Sequence, residues 1–260
     1  MSNVRPQSLM LRHILSLAFM FAAIASAEAA PREILPGQYI RDGDSGTLTI
    51  QKNEQNRRIF KIESVGGNCH SCGISGEIRG PTGHADTWAG DGSDSKCDIS
   101  FSAGRSAVDV NPITQDACRA YCGARAGFDG TYRVPSATCT STGRQAKRDE
   151  SLRLYRSRRF SEAANKLQTL TEQCRPFMNR IEIDQLRNDL ALAQYHNGNF
   201  SQCLQTLNAT LAADVKDEDE LKSGKGNIYL PPCDFDNYIN VAKSTWFNKA
   251  LCTKAVSRGR

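Results

Sequence analysis

The chain has 260 residues, with 33 lysines and arginines against 28 aspartates and glutamates, a net charge of +5, and 39% hydrophobic residues. So mild a surplus, with no basic run, lacks the electrostatic footprint of a nucleic-acid binder. The length suffices for two domains of ordinary size.

The N-terminus reads as a secretory signal peptide over residues 1–29. Arg5 and Arg12 form a basic region, Ile14 to Ala25 an apolar one, and small residues allow cleavage after Ala27 or Ala29. About 12 apolar residues fall short of the roughly 20 that a helix needs to span a bilayer, and no later stretch is apolar enough. No cysteine lies near the cleavage site, which disfavours a lipoprotein. The expectation is an exported protein, periplasmic or secreted, without a membrane span.

Compartment decides what cysteines are for. The ten here are Cys69, Cys72, Cys97, Cys118, Cys122, Cys139, Cys174, Cys203, Cys233 and Cys252. In an exported chain such an even set is read as disulfide-bonded.

Residues 30–140 read as a disulfide-rich β domain. Leu48 and Ile50, Phe60 and Ile62, Ile78, then Cys97, Ile99 and Phe101, and Val108 with Val110, alternate at the strand period between glycine-rich turns. Such short strands fit a small antiparallel barrel or sandwich. Cys118 and Cys122, at i and i+4, share one face of a short helix to be stapled to the sheet. "DGDSG" and "GDGSDSKCD" look superficially like calcium loops but lack the twelve-residue ligand spacing with a terminal glutamate, so they are read as turns.

From Ala146 the period turns helical. Leu154, Phe160, Ala163, Leu167 and Leu170 are matched at the same internal offsets by Gln194, Phe200, Cys203, Leu207 and Thr210. Self-similarity of this kind marks stacked helix pairs, over residues 146–213. The half resembles tetratricopeptide repeats, on Phe160 with Ala163, Phe200 with Cys203, and Gly198 in the turn between helices. It departs from them in its longer period, in Cys203 where alanine is usual, and in Arg158 at the glycine position. The resemblance implies a protein-binding scaffold. A polar linker is expected over residues 214–236 and a capping helix over 237–260, on Tyr238, Ala242, Trp246 and Ala250.

The fold class expected is therefore α+β in two domains: a small disulfide-rich antiparallel β barrel or sandwich, then tetratricopeptide-like α-helical hairpins. Regular stacking keeps Cys174 from Cys203, since bridged Cα atoms must lie within about 7 Å. The final antiparallel helix favours Cys203 with Cys252, and Cys174 with Cys233. The remaining six cysteines would pair within the β domain.

Cys69-His70-Ser71-Cys72 has the spacing of a redox centre, but strand and turn follow it where a helix would lower the thiol pKa. A zinc site would need two further ligands, which Cys97 with His70 or His84 could supply. Two bridges to different partners is the preferred reading. A thiol oxidoreductase using Cys69 and Cys72 stands as a minority alternative.

No nucleophile elbow, phosphate loop or zinc-protease motif is present. His196, near a helix end, is read as solvated or capping. Asn199 and Asn208 match the glycosylation pattern, relevant only in a eukaryotic secretory pathway. No catalytic residue, metal or cofactor is assigned.

The functional expectation is an exported, non-enzymatic protein that binds a protein partner in the envelope or outside the cell. In its narrower form it inhibits, or protects against, a cell-wall hydrolase, because the β domain is similar at fold level to small periplasmic lysozyme inhibitors. The alternative is an envelope scaffold or assembly factor binding through its helices. Arg156, Arg187, Asn188 and Tyr195, on or near the first helix of each pair, are the contact candidates. Hydrogen bonding of Arg187 and Asn188 within the stack is the competing explanation.

Overall fold

The computed structural model describes Met1, residues 33–86 and residues 96–259. The expected leader, Met1 aside, lies outside the described residues, as does the whole of the "GDGSDS" turn. Residues Pro31–Arg260 form one compact unit.

Eight strands close into an antiparallel barrel in sequence order: β1 Gly37–Arg41, β2 Gly46–Lys52, β3 Arg58–Val65, β4 Ser71–Arg79, β5 Thr82–Ala85, β6 Asp98–Ala103, β7 Ala107–Pro112 and β8 Gly130–Arg133. β8 returns to pair with β1 through Ile40 opposite Arg133, so the sheet has no free edge. Alternation sets the register: Leu48 faces Ile62, Ile50 faces Phe60, and Ile62 faces Ile74, all pointing inward and all buried. A Cβ at Gly83 would stand 2.4 Å from the Phe101 ring. Glycine there lets Phe101 lie against Phe60, with ring centroids 5.2 Å apart, and fill the interior.

Between β7 and β8 runs a short helix, α1 Gln115–Arg119. Cys118 is bridged to Cys97 beside β6, and Cys122, just past the helix, to Cys72 in β4. The i, i+4 pair thus staples this segment across one side of the barrel.

The helical half begins at Ser141, ahead of the expected boundary, because Thr140 caps it by accepting from the Gly143 N–H. α2 Ser141–Arg156 and α3 Phe160–Cys174 form one hairpin, α4 Arg180–His196 and α5 Phe200–Asn208 the next. Asn179 caps α4 by accepting from the Glu182 N–H. The expected linker is structured in part. It contains α6 Glu218–Lys222 and buries Val215, Leu221 and Ile228 against Tyr238 and Val241. The last helix, α7 Pro232–Arg258, starts earlier than residue 237, with Pro232 at its first position, where the absent N–H costs no hydrogen bond. It lies on α4 and α5. Among the described residues no helix is long and apolar enough to cross a membrane.

Candidate functional site

The ten cysteines form five bridges and none is free. Cys203 joins Cys252, as antiparallel packing of α7 on α5 requires. Cys174 does not reach Cys233. It joins Cys139, because α3 runs back along α2 and ends beside the turn from which α2 starts. Cys233 joins Cys69, in the loop between β3 and β4. Cys69 and Cys139 therefore leave the set expected to pair inside the β domain: one bridge ties a barrel loop to α7, and the other ties the connector before α2 to the end of α3. Cys69 and Cys72 are joined to different partners, which overturns their use as a redox pair. Cys97, bridged to Cys118, has no thiolate for zinc, and the His84 ring shares a hydrogen bond with Asp98 through Nδ1 at 2.8 Å. Among the described residues no group of three histidines, cysteines or carboxylates is placed to hold a metal.

Charge reinforces the attachment of the two halves. The Arg144 guanidinium, buried at the base of α2, donates to Asp44 of the β1–β2 turn at 2.9 Å, to Glu182 of α4 at 2.7 Å and to the Cys139 carbonyl at 2.7 Å. The Gly43 N–H donates to the Pro176 carbonyl beside it. This clamp gave no sequence signal, since its members lie far apart in the chain.

The first helices of the two hairpins, α2 and α4, line a groove of about 220 Å³ whose floor is α3. Its walls include Leu152, Tyr155 and Leu192, and Ala163 and Leu167 lie beneath. Leu152 is 44% exposed, an apolar side chain left uncovered. At one end Arg148 donates to Asp189 at 2.7 Å and to Gln185 at 3.4 Å, a fixed polar pair bridging the helices. Ser151 is satisfied by the Ala163 carbonyl at 2.9 Å, so the floor presents no orphaned polar group. At the other end the Tyr155 ring meets Phe160 and His196, with centroids 5.3 and 5.5 Å away. Burial raises the Tyr155 phenol above its ordinary pKa.

Beyond Tyr155 lies an arginine cluster. Arg153, Arg156 and Arg158 are exposed at the α2–α3 tip and make no side-chain hydrogen bond or ion pair among the described residues. Arg156 stands one turn beyond Leu152, on the groove side of α2.

Only Arg156 of the four contact candidates is in this position. Arg187 donates to the buried Asp184 at 2.8 Å. Asn188 is buried, donating to the Asp184 carbonyl and Thr245 and accepting from Asn248 of α7. Tyr195 is half-buried against Phe200 and the cluster around Cys203 and Cys252. His196 is exposed and stacks on Phe160 at 5.1 Å. The groove residues Arg148, Leu152, Asp189 and Leu192 escaped sequence reading. Their one available signal was Leu152, an apolar residue off the buried stripe.

No protein family, no curated protein and no solved structure matches this chain.

Proposed function

We propose that this is an exported, non-enzymatic binding protein whose tetratricopeptide-like hairpins hold a partner protein's extended segment in the groove between α2 and α4. The observation that carries this reading is the uncovered apolar wall of Leu152, Tyr155 and Leu192 between a fixed Arg148–Asp189 pair and three unpaired arginines. Charge complementarity sets the chemistry of the segment: an apolar side chain at Leu152, followed by carboxylates at the arginine end. Five bridges support folding in an oxidising compartment, periplasmic or extracellular.

The test is selection from a random peptide display library, then titration of the winning peptide. Peptides with an apolar residue beside acidic ones should bind the wild type and lose at least tenfold in affinity to Leu152→Asp and Arg156→Glu. Unchanged affinity in both variants would sink the groove.

The closed barrel favours a second, narrower reading, in which the partner is a cell-wall hydrolase and the protein inhibits it. Removing residues 146–260 is not a clean discriminator, because it breaks Cys69–Cys233 and Cys139–Cys174 and leaves Arg144 without Glu182. Intact protein assayed against a panel of wall hydrolases decides instead, and no inhibition across the panel rejects this version.

A further inference from the structure

Of the ten cysteines, Cys69 alone is exposed, and its partner Cys233 is half-buried. Cys122 is also half-buried, but it is joined to the buried Cys72, and the other three bridges are buried at both ends. Cys69 is therefore the cysteine most open to a thiolate arriving from solvent.

The surroundings of that sulfur suit exchange. Asn68 and Cys69 both have left-handed backbone, with φ of 56° and 57°, a conformation costly for residues with a Cβ. Cys233 occupies the first turn of α7, where the helix N-terminus stabilises a departing thiolate. The side-chain amide of Asn237, one turn on, lies 3.5 Å from the Cys69 sulfur and 3.6 Å from the Cys233 sulfur, as a donor to either. The neighbouring carboxylate of Asp234 opposes that charge, but it is already accepting from the Asn68 N–H at 2.9 Å.

We propose that Cys69–Cys233 is a thiol–disulfide exchange site, the substrate of a dithiol oxidoreductase, and that it works as a reversible latch between barrel and capping helix. One thiolate of the dithiol attacks the Cys69 sulfur. The Cys69–Cys233 bond breaks, and its electron pair leaves on Cys233, which takes up a proton. The second thiol of the partner then attacks the mixed disulfide and releases Cys69 as a thiol. The partner is oxidised to its disulfide, the bridge is reduced by two electrons, and the two protons of the dithiol end on the two cysteines.

Two hydrogen bonds outlast the covalent bond. The Asn68 N–H donates to Asp234, and the Cys233 N–H donates to the Asn68 side chain at 3.1 Å. They keep the two sulfurs in register, so reoxidation restores the same pair. The Arg144 clamp on Asp44 and the Gly43 to Pro176 hydrogen bond hold the other attachment meanwhile. Opening the latch thus removes the covalent tie between the β3–β4 loop and the start of α7 and leaves the two Asn68 hydrogen bonds there.

The direct test incubates folded protein with a thioredoxin-type protein whose second active-site cysteine is serine, which arrests exchange at the mixed disulfide. Peptide mapping should find the adduct on Cys69. Recovery on Cys72 or Cys122, or none from folded protein, overturns the proposal. In parallel, low dithiothreitol with a maleimide trap should label Cys69 and Cys233 at least tenfold faster than the other eight cysteines. Labelling of all ten together overturns it. The Cys69→Ser/Cys233→Ser variant retains four bridges and should form no mixed disulfide while folded, and an adduct on it would refute the assignment. Should that variant fail to fold, the wild-type labelling decides alone.

Discussion

Arg158 and Gly198 occupy the same left-handed position in the turns of the two hairpins, with φ of 60° and 79°. Each follows a first helix and precedes the phenylalanine that opens the second, Phe160 or Phe200. Glycine adopts this conformation without steric cost, whereas a side chain there costs about 1–2 kcal/mol. Glycine also loses more chain entropy on folding, which offsets roughly 0.5–1 kcal/mol. Arg158→Gly should therefore raise the urea midpoint by an amount worth about 0.5 kcal/mol, and Gly198→Ala should lower stability by about 1 kcal/mol. If the proposed groove is right, the stabilised Arg158→Gly protein should also bind its acidic peptide less tightly. A gain in both properties would argue that Arg158 has no part in binding.

The Arg144 clamp predicts a larger effect. Removing a buried guanidinium that serves two carboxylates typically costs 3–5 kcal/mol. Asp44 and Glu182 keep 29% and 25% of their side-chain surface exposed, so water recovers part of that loss. Arg144→Met should destabilise by about 2–3 kcal/mol in equilibrium denaturation with all bridges intact. In a double-mutant cycle with Glu182→Gln the two losses should be strongly non-additive. Additive losses would mean that the pair contributes nothing of its own.

What was legible in the sequence follows from distance along the chain. Inward residues such as Leu48, Ile50, Phe60 and Ile62 alternate within single strands, so the long strands could be seen. Those of β1, β5 and β8 are too short, and carry too much glycine and polar residue, to show a period. Hairpins were legible because Phe160 with Ala163 recurs as Phe200 with Cys203. The polar linker was misread because Val215, Leu221 and Ile228 stand too far apart, among lysines and carboxylates, to form a recognisable apolar run. Closure of the barrel, the crossing of Cys69 to Cys233 and the Arg144 clamp are set by packing between distant segments, which no local pattern encodes. The groove itself was legible only as a helix face, since its uncovered state depends on what does not pack there.

A buried network predicts alkaline behaviour. Tyr238 donates to Asp184 at 2.7 Å and accepts from the Ala212 N–H at 3.1 Å, while Asp184 also accepts from the Leu211 N–H. Burial, reinforced by the Asp184 charge, pushes the Tyr238 phenol far above its ordinary value, and burial does the same to Tyr132 inside the barrel. Both groups hold their protons more tightly folded than unfolded. Their contribution is thus complete below about pH 10 and is lost as pH rises beyond it. Phenolate absorbance should show these two tyrosines ionising only together with loss of near-ultraviolet dichroism. Tyr238→Phe strands the Ala212 N–H and takes a donor from Asp184, and should cost about 2 kcal/mol at neutral pH. A variant as stable as the wild type would show that the network is replaceable.

The short helix α6 carries the opposite pH dependence. Lys222 and Lys243 hold the Glu218 carboxyl down to about 2, and Lys225, with Lys216 behind it, does the same for Glu220. Both folded values lie below the ordinary glutamate range, so the stabilisation is present above about pH 4.3 and is lost as pH falls towards 2. The lysines are exposed while Glu218 and Glu220 are half-buried, and salt screens such pairs in part. Lys243 belongs to α7, so its bond to Glu218 at 2.9 Å is an ion-pair tie between the two helices. Amide exchange across residues 217–225 should accelerate between pH 5 and pH 2.5 at low ionic strength (about 0.01 M), relative to the intrinsic rates at each pH, while the α4–α5 hairpin stays protected. Raising salt to about 1 M should remove most of that pH dependence. If α6 loosens to the same degree in high salt, its order rests on Leu221 in the apolar cluster with Tyr238, and the charge pairs are incidental to it.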